Sequence, residues 1–216
     1  DGVILDGSLI ASASPYQMAC NGLDALAQAI ESVWAVGSTR QSREYSFRAV
    51  SLCAKYLKEV LAPDAREDVL QGMMEAAHLA GKAINISKTT AAHAWSYAIT
   101  SHHCVPHGHA VWLTLPCIFE IHATASVEMV TDPRSIEHLT TIMSRLTDIL
   151  GIVSPEDSAS HLKSFLHAIN VESDMTEIGA KTAKQRKFLS KQVNMQRMSN
   201  NPVGMTQVHV NRIFNL

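Results

Sequence analysis

The sequence predicts an all-α domain, on three observations. Apolar residues recur at helical spacing from Leu23 onward, strands and helices do not alternate as a parallel sheet requires, and the single strand-like segment has no partner strand. That segment comes first. Gly2-Val3-Ile4-Leu5-Asp6-Gly7 reads as a short strand ending in a turn, followed by a Ser/Ala/Pro-rich connection. One strand cannot satisfy its own backbone donors and acceptors, so its sheet is expected elsewhere. Residues 1–22 are therefore read as a junction from a preceding α/β domain that the chain lacks, and residues 23–216 as a helical domain, the C-terminal portion of a longer protein.

The helices follow in order. Leu23, Leu26, Ala27, Ile30, Val33 and Trp34 fall at i, i+3, i+4, i+7 spacing, and Gly37 marks a stop. A second helix is expected over 39–61, and Pro63-Asp64 should cap a third that runs to about residue 85. Further helices are expected near 89–102, 108–124, 134–150, 156–169, 180–194 and 206–215. No internal repeat or low-complexity tract interrupts them.

Composition narrows the function classes. At 216 residues and 46% hydrophobic content the chain can bury a sizeable core, and a net charge of -2 makes no electrostatic case for nucleic acid or an anionic membrane. The basic stretch Lys181 to Lys191 is one helix long and reads as a solvated face. No apolar run reaches the roughly eighteen residues of a membrane span, and the N-terminus lacks a basic segment followed by an apolar one. Cys20, Cys53, Cys104 and Cys117 show no CxxC spacing and read as reduced, buried small hydrophobes, so the expected compartment is the cytoplasm.

The candidate chemistry lies in HAWSYAITSHHCVPHG, residues 93–108, where His93 and His107 stand fourteen apart and a Pro-His-Gly turn presents the second imidazole. Asp24 and Gln28, four apart in DALAQAIES, stack on one helix face and can converge on the same point. One carboxylate, two imidazoles and an amide carbonyl make a mixed N/O metal site suited to Fe2+, Zn2+, Mn2+ or Ni2+. Open positions on such an ion are Lewis-acidic. Spacing alone leaves the bland readings standing: eleven histidines make a chance pair common, and Asp24 serves equally well as a helix N-cap.

GLDALAQAIES at 22–32, AHLAG at 77–81, HAWSYAITSHHCVPHGHAVWLTLP at 93–116 and Asn200-Asn201-Pro202 together resemble the iron-containing (group III) alcohol dehydrogenases, over nearly all of the chain. The resemblance implies the helical, metal-holding C-terminal domain of a dehydroquinate synthase-like architecture, with Asp24, His93 and His107 as ligands. It further implies an NAD(P)-linked alcohol dehydrogenase or aldehyde reductase acting on a small alcohol or aldehyde, with Fe2+ or Zn2+ as the ion, and leaves a homo-oligomer open. Neither G-x-G-x-x-G nor a GGGS-type phosphate loop occurs, so the nucleotide is expected to be held by the upstream domain.

Two departures stand out. Gln28 occupies a position where the family usually has a ligating His, and in having Gln there the chain looks similar to a branch that includes phosphonoacetaldehyde reductases; an amide oxygen is a weaker donor, so Gln28 either ligates through oxygen or leaves the position to water. Relatives such as glycerol dehydrogenases and dehydroquinate synthases hold zinc with one carboxylate and two histidines. Tyr97 replaces a further family His near the substrate, and His103 is spaced to approach the same pocket; both are candidate catalytic residues, against the readings that Tyr97 fills core and His102-His103 is a solvated helix end. The rival functions are a dehydroquinate synthase-like metal-dependent lyase and a non-enzymatic helical interaction domain.

Overall fold

Helix α1 (Pro15–Trp34) starts well before Leu23 and crosses the expected 22/23 boundary. The reason is local: the Ser14 hydroxyl accepts the Gln17 N–H, and Pro15 in the first turn has no N–H to leave unpaired. The structure, a computed structural model, describes residues 2–216. Asp1 lies outside the described residues.

The expected N-terminal strand does not form: residues 2–6 make no ladder, because nothing in the described chain offers a second strand. Residues 7–10 form a 3-10 turn instead. Gln71 ties this segment down from both sides, its Oε1 accepting the Gly7 N–H at 2.9 Å and its Nε2 donating to the Leu5 carbonyl at 3.2 Å. Among the described residues the only β pairing is an isolated antiparallel bridge between Val130 and Val203.

Helices α2 (Arg40–Tyr56) and α3 (Glu67–Ser87) pack on α1 and on each other. A Thr39/Ser42 capping box opens α2, which ends at Tyr56 rather than at 61, a 3-10 turn over Glu59–Leu61 taking up the remainder. The third helix begins after Arg66 with Glu67 and Asp68 in its first turn, so Pro63-Asp64 belongs to the connection. Next come α4 (Ala91–His103), α5 (His107–Trp112) and α6 (Leu115–Ala123). The single helix expected over 108–124 is split at Leu113-Thr114, because Pro116 lacks an N–H for a continuing ladder and opens α6 instead. Helices α7 (Ser135–Leu150), α8 (Ser158–Ala168), α9 (Ala183–Lys191), α10 (Met195–Met198) and α11 (Gln207–Phe214) complete the chain.

Helix α1 is the spine. It is buried nearly all round, packing against α2, α3, α5 and α7. Each of the three tryptophans fills core and spends its indole N–H on a specific tie: Trp34 to the Thr90 hydroxyl at 2.8 Å, Trp95 to the Ser190 carbonyl at 3.1 Å, Trp112 to the Leu23 carbonyl at 2.7 Å. The last of these clamps α5 against α1. Arg134 bonds the Ala35 and Ser38 carbonyls beyond the end of α1, and Asn200 holds the Ser87 and Thr89 carbonyls before α4.

The approach of α5 to α1 is closest at Gly108, where an added Cβ would stand 2.0 Å from the Cys20 carbonyl oxygen and 2.9 Å from the Asp24 nitrogen. Backbone cannot yield as a side chain can. Gly108→Ala is expected to lower the urea unfolding midpoint by an amount equivalent to about 1–3 kcal/mol. Gly81→Ala, exposed on α3 with nothing within 4 Å of the new methyl, should raise it slightly as a helix-favouring change. Equal effects of the two substitutions would contradict this reading of the contact.

Candidate metal centre

Three helices deliver one side chain each to a single point. Asp24 projects from the middle of α1, two full turns inside its N-terminus, so it is no N-cap. His93 lies in the first turn of α4, and His107 is the first residue of α5, presented by the Val105-Pro106 turn that follows Cys104 in the left-handed region at φ 53°. One ligand atom from each of Asp24, His93 and His107 lies within 4.8 Å of the others. Asp24 Oδ1 is 3.5 Å from His93 Nε2 and 3.9 Å from His107 Nε2. A tetrahedral ion with bonds of about 2.1 Å holds its ligands about 3.4 Å apart, so small side-chain shifts suffice to close on one.

The polar atoms themselves test whether a cation fits. Asp24 Oδ1 and His93 Nε2 are both buried and have no hydrogen-bond partner among the described residues, and they face each other. Orphaned buried polar atoms are uncommon in folded proteins, and a pair aimed at one point fits a shared cation. The donor set, two imidazoles and a carboxylate, suits Zn2+ or Fe2+.

Gln28 is beside this point, and its Nε2 donates to Asp24 Oδ2 at 2.8 Å. That bond occupies one carboxylate oxygen and turns the other, Oδ1, toward the histidines. Tyr97 sits one turn beyond His93 with its ring centroid 5.6 Å from that of His107, and it is 44% exposed, so it borders the open side and does not fill core. His103 is placed elsewhere. It stands at the far end of α4, about 15 Å of helix from His93, lining a surface groove with Thr182, Gln185 and Phe188 of the α9 region. Its spacing in sequence overlooked the helical rise, which carries it away from the imidazoles.

Sequence reasoning missed Glu31. Its side chain is fully buried, accepting the Thr90 hydroxyl at 2.7 Å and the Ala92 N–H at 2.9 Å on Oε1, while Oε2 closely contacts His93 Nδ1. Burial acts to raise the Glu31 carboxyl, but His93, Thr90 and the Ala92 amide outweigh it and hold it below its ordinary value. Burial likewise acts to lower His93, yet Glu31 and Asp24 overcome it and raise the imidazole to about 9. At His107 the burial prevails over the Asp24 charge and the pKa is lowered. The signal for Glu31 was available: it continues the Asp24–Gln28 face of α1 at i+7.

The chain matches the model of the Fe-containing alcohol dehydrogenase family, C-terminal, over residues 18–216. Among curated proteins it is 29% identical over 213 residues to a phosphonoacetaldehyde reductase of Streptomyces viridochromogenes, covering 98% of this chain and 52% of that one. It is 25% identical over 166 residues to a 1,3-propanediol dehydrogenase of Citrobacter freundii, covering 76% of this chain and 41% of that one. A crystal structure of sulfoacetaldehyde reductase from Bifidobacterium kashiwanohense in complex with NAD+ superposes with a TM-score of 0.80 at 27% identity, covering 97% of this chain and 52% of that one. The chain thus spans about half the length of the relatives it matches.

Asp24→Ala and His107→Ala are each expected to abolish stoichiometric Zn2+ binding in equilibrium dialysis. Gln28→Ala should weaken it without abolishing it, since Gln28 contacts the carboxylate. Retention of one tightly held ion by His107→Ala would contradict the geometry.

Proposed function

The chain belongs to the iron-containing alcohol dehydrogenase family, and from that premise we propose that it is the metal-holding part of an NAD(P)-linked alcohol dehydrogenase or aldehyde reductase. The observation that carries this reading is the convergence of Asp24, His93 and His107, two of whose facing atoms are buried without partners. An Fe2+ or Zn2+ ion held there would supply the Lewis acidity that polarises a substrate carbonyl or alcohol oxygen at the carbon exchanging hydride with nicotinamide.

The chain's own residues do the rest. Asp24 supplies negative charge, and the buried imidazole of His93 and half-buried one of His107 supply nitrogen donors while keeping bulk water from the inner side of the point. Gln28 holds the Asp24 carboxylate by its second oxygen. The Tyr97 hydroxyl, on the exposed side next to His107, is placed to hydrogen-bond a substrate oxygen. His103 has no part in this reading.

Substrate choice rests on the relatives. The similarity to a phosphonoacetaldehyde reductase and to a sulfoacetaldehyde reductase favours small aldehydes that carry an anionic phosphono or sulfo group. These relatives and the propanediol dehydrogenase are by name reductases and a dehydrogenase, which favours an oxidoreductase over the lyase and interaction-domain readings. Among the described residues no helix is long and apolar enough to cross a membrane.

The nucleotide is assigned to residues outside this chain, because no glycine-rich phosphate loop occurs in it. Metal and nicotinamide must flank the substrate carbon, so hydride transfer needs both parts of the cleft. The test is an assay of NADH and NADPH oxidation with acetaldehyde, phosphonoacetaldehyde and sulfoacetaldehyde, using the 216-residue chain alone and joined to the remaining half of the sulfoacetaldehyde reductase. The chain alone should give no turnover, and the joined protein should turn over only when loaded with metal. Turnover by the chain alone, or full activity in the metal-free joined protein, would contradict the proposal.

A further inference from the structure

Glu31 is the most deeply buried acidic side chain among the described residues, fully enclosed where Asp132 is 5% and Glu120 9% exposed. Its two oxygens have separate tasks. Oε1 accepts from the Thr90 hydroxyl and the Ala92 N–H, standing in for the side-chain cap that Thr90 does not give α4. Oε2 has no capping task. Its one partner is His93 Nδ1, the ring nitrogen facing away from Asp24.

A carboxylate can only accept, so Nδ1 must carry a proton and donate it to Oε2. The opposite nitrogen, Nε2, is the one buried without a partner, 3.5 Å from Asp24 Oδ1. We propose that Glu31 is a positioning residue, which fixes the ring plane of His93 through Nδ1 so that Nε2 is the nitrogen that faces the point shared with Asp24 and His107, where a cation would displace its proton. The inference rests on the metal-holding reading of that point. It extends it by making α1 the source of three aligned devices: the ligand Asp24, the Gln28 amide that selects which Asp24 oxygen is free, and the Glu31 carboxylate that selects which His93 nitrogen is free.

The alternative is that Glu31 merely caps α4. Glu31→Gln separates the two roles, because the amide keeps a carbonyl oxygen for Thr90 and Ala92 but places an NH2 group where Oε2 was. That NH2 can pair with His93 only if Nδ1 is without a proton and Nε2 carries it, which blocks Nε2 as a donor to a cation. Thr90→Val is the counterpart, removing one of the two donors to Oε1 without touching His93.

The experiment measures Zn2+ affinity by competition with a chromophoric chelator, alongside urea unfolding of the metal-free proteins and 15N–1H spectra of the histidine rings. Glu31→Gln should bind Zn2+ roughly 10–100-fold more weakly than the unaltered chain. Thr90→Val should lose stability while keeping its affinity within about threefold. In the unaltered protein loaded with zinc, His93 should show a protonated Nδ1 and a coordinated Nε2, a readout that decides the matter even if Glu31→Gln does not fold. Equal affinity in Glu31→Gln, or coordination through Nδ1, would overturn the inference alone; no zinc binding by the unaltered chain would overturn the metal reading and this inference with it.

Discussion

A carboxylate with no exposure to water is the constraint on which the rest of the structure depends. An unpaired charge in that position costs several kcal/mol, so Glu31 must be surrounded by donors or the core cannot close around it. The donors all come from the start of α4: the Thr90 hydroxyl, the Ala92 amide and the His93 ring. Satisfying one buried group therefore sets where α4 begins, how it is rotated against α1, and which face of His93 looks back toward Asp24. Trp34 strengthens the same joint through its bond to Thr90, and Asn200 holds the carbonyls just upstream.

The third side chain arrives by a different route. Helix α5 lies against α1 as closely as backbone permits, through the missing Cβ of Gly108 and the bond from Trp112 to the Leu23 carbonyl. That contact puts His107 beside Asp24. The outcome is two carboxylates and two imidazoles in one partly water-excluded space, with His93 drawn up to about 9 and His107 lowered. Two carboxylates drawn into the interior beside ring nitrogens favour positive charge there, a proton on His93 or a divalent cation in its place.

Much of this was legible in the sequence, and the exceptions have physical causes. Helical periodicity in the apolar residues located most elements, and the Asp24, His93 and His107 spacing marked residues that the fold brings together. Helix ends were less legible because they turn on single bonds: Ser14 starts α1 early, and Pro116 divides what periodicity joins. The N-terminal segment has strand composition but nothing to pair with, so it settles on Gln71. His103 was misplaced because proximity in sequence was taken for proximity along a rising helix. Glu31 was passed over because a glutamate on an amphipathic helix ordinarily faces solvent, and only the packing of α4 shows that this one does not.

The central claim is that Asp24, His93 and His107 together hold one divalent ion. X-ray absorption at the zinc edge of the loaded chain tests it most directly, since the fine structure reports ligand type and distance. The account predicts two imidazole nitrogens and a carboxylate oxygen at about 2.0–2.2 Å, completed by water oxygen and without sulfur. A sulfur shell near 2.3 Å, or fewer than two imidazoles around the ion, would contradict it.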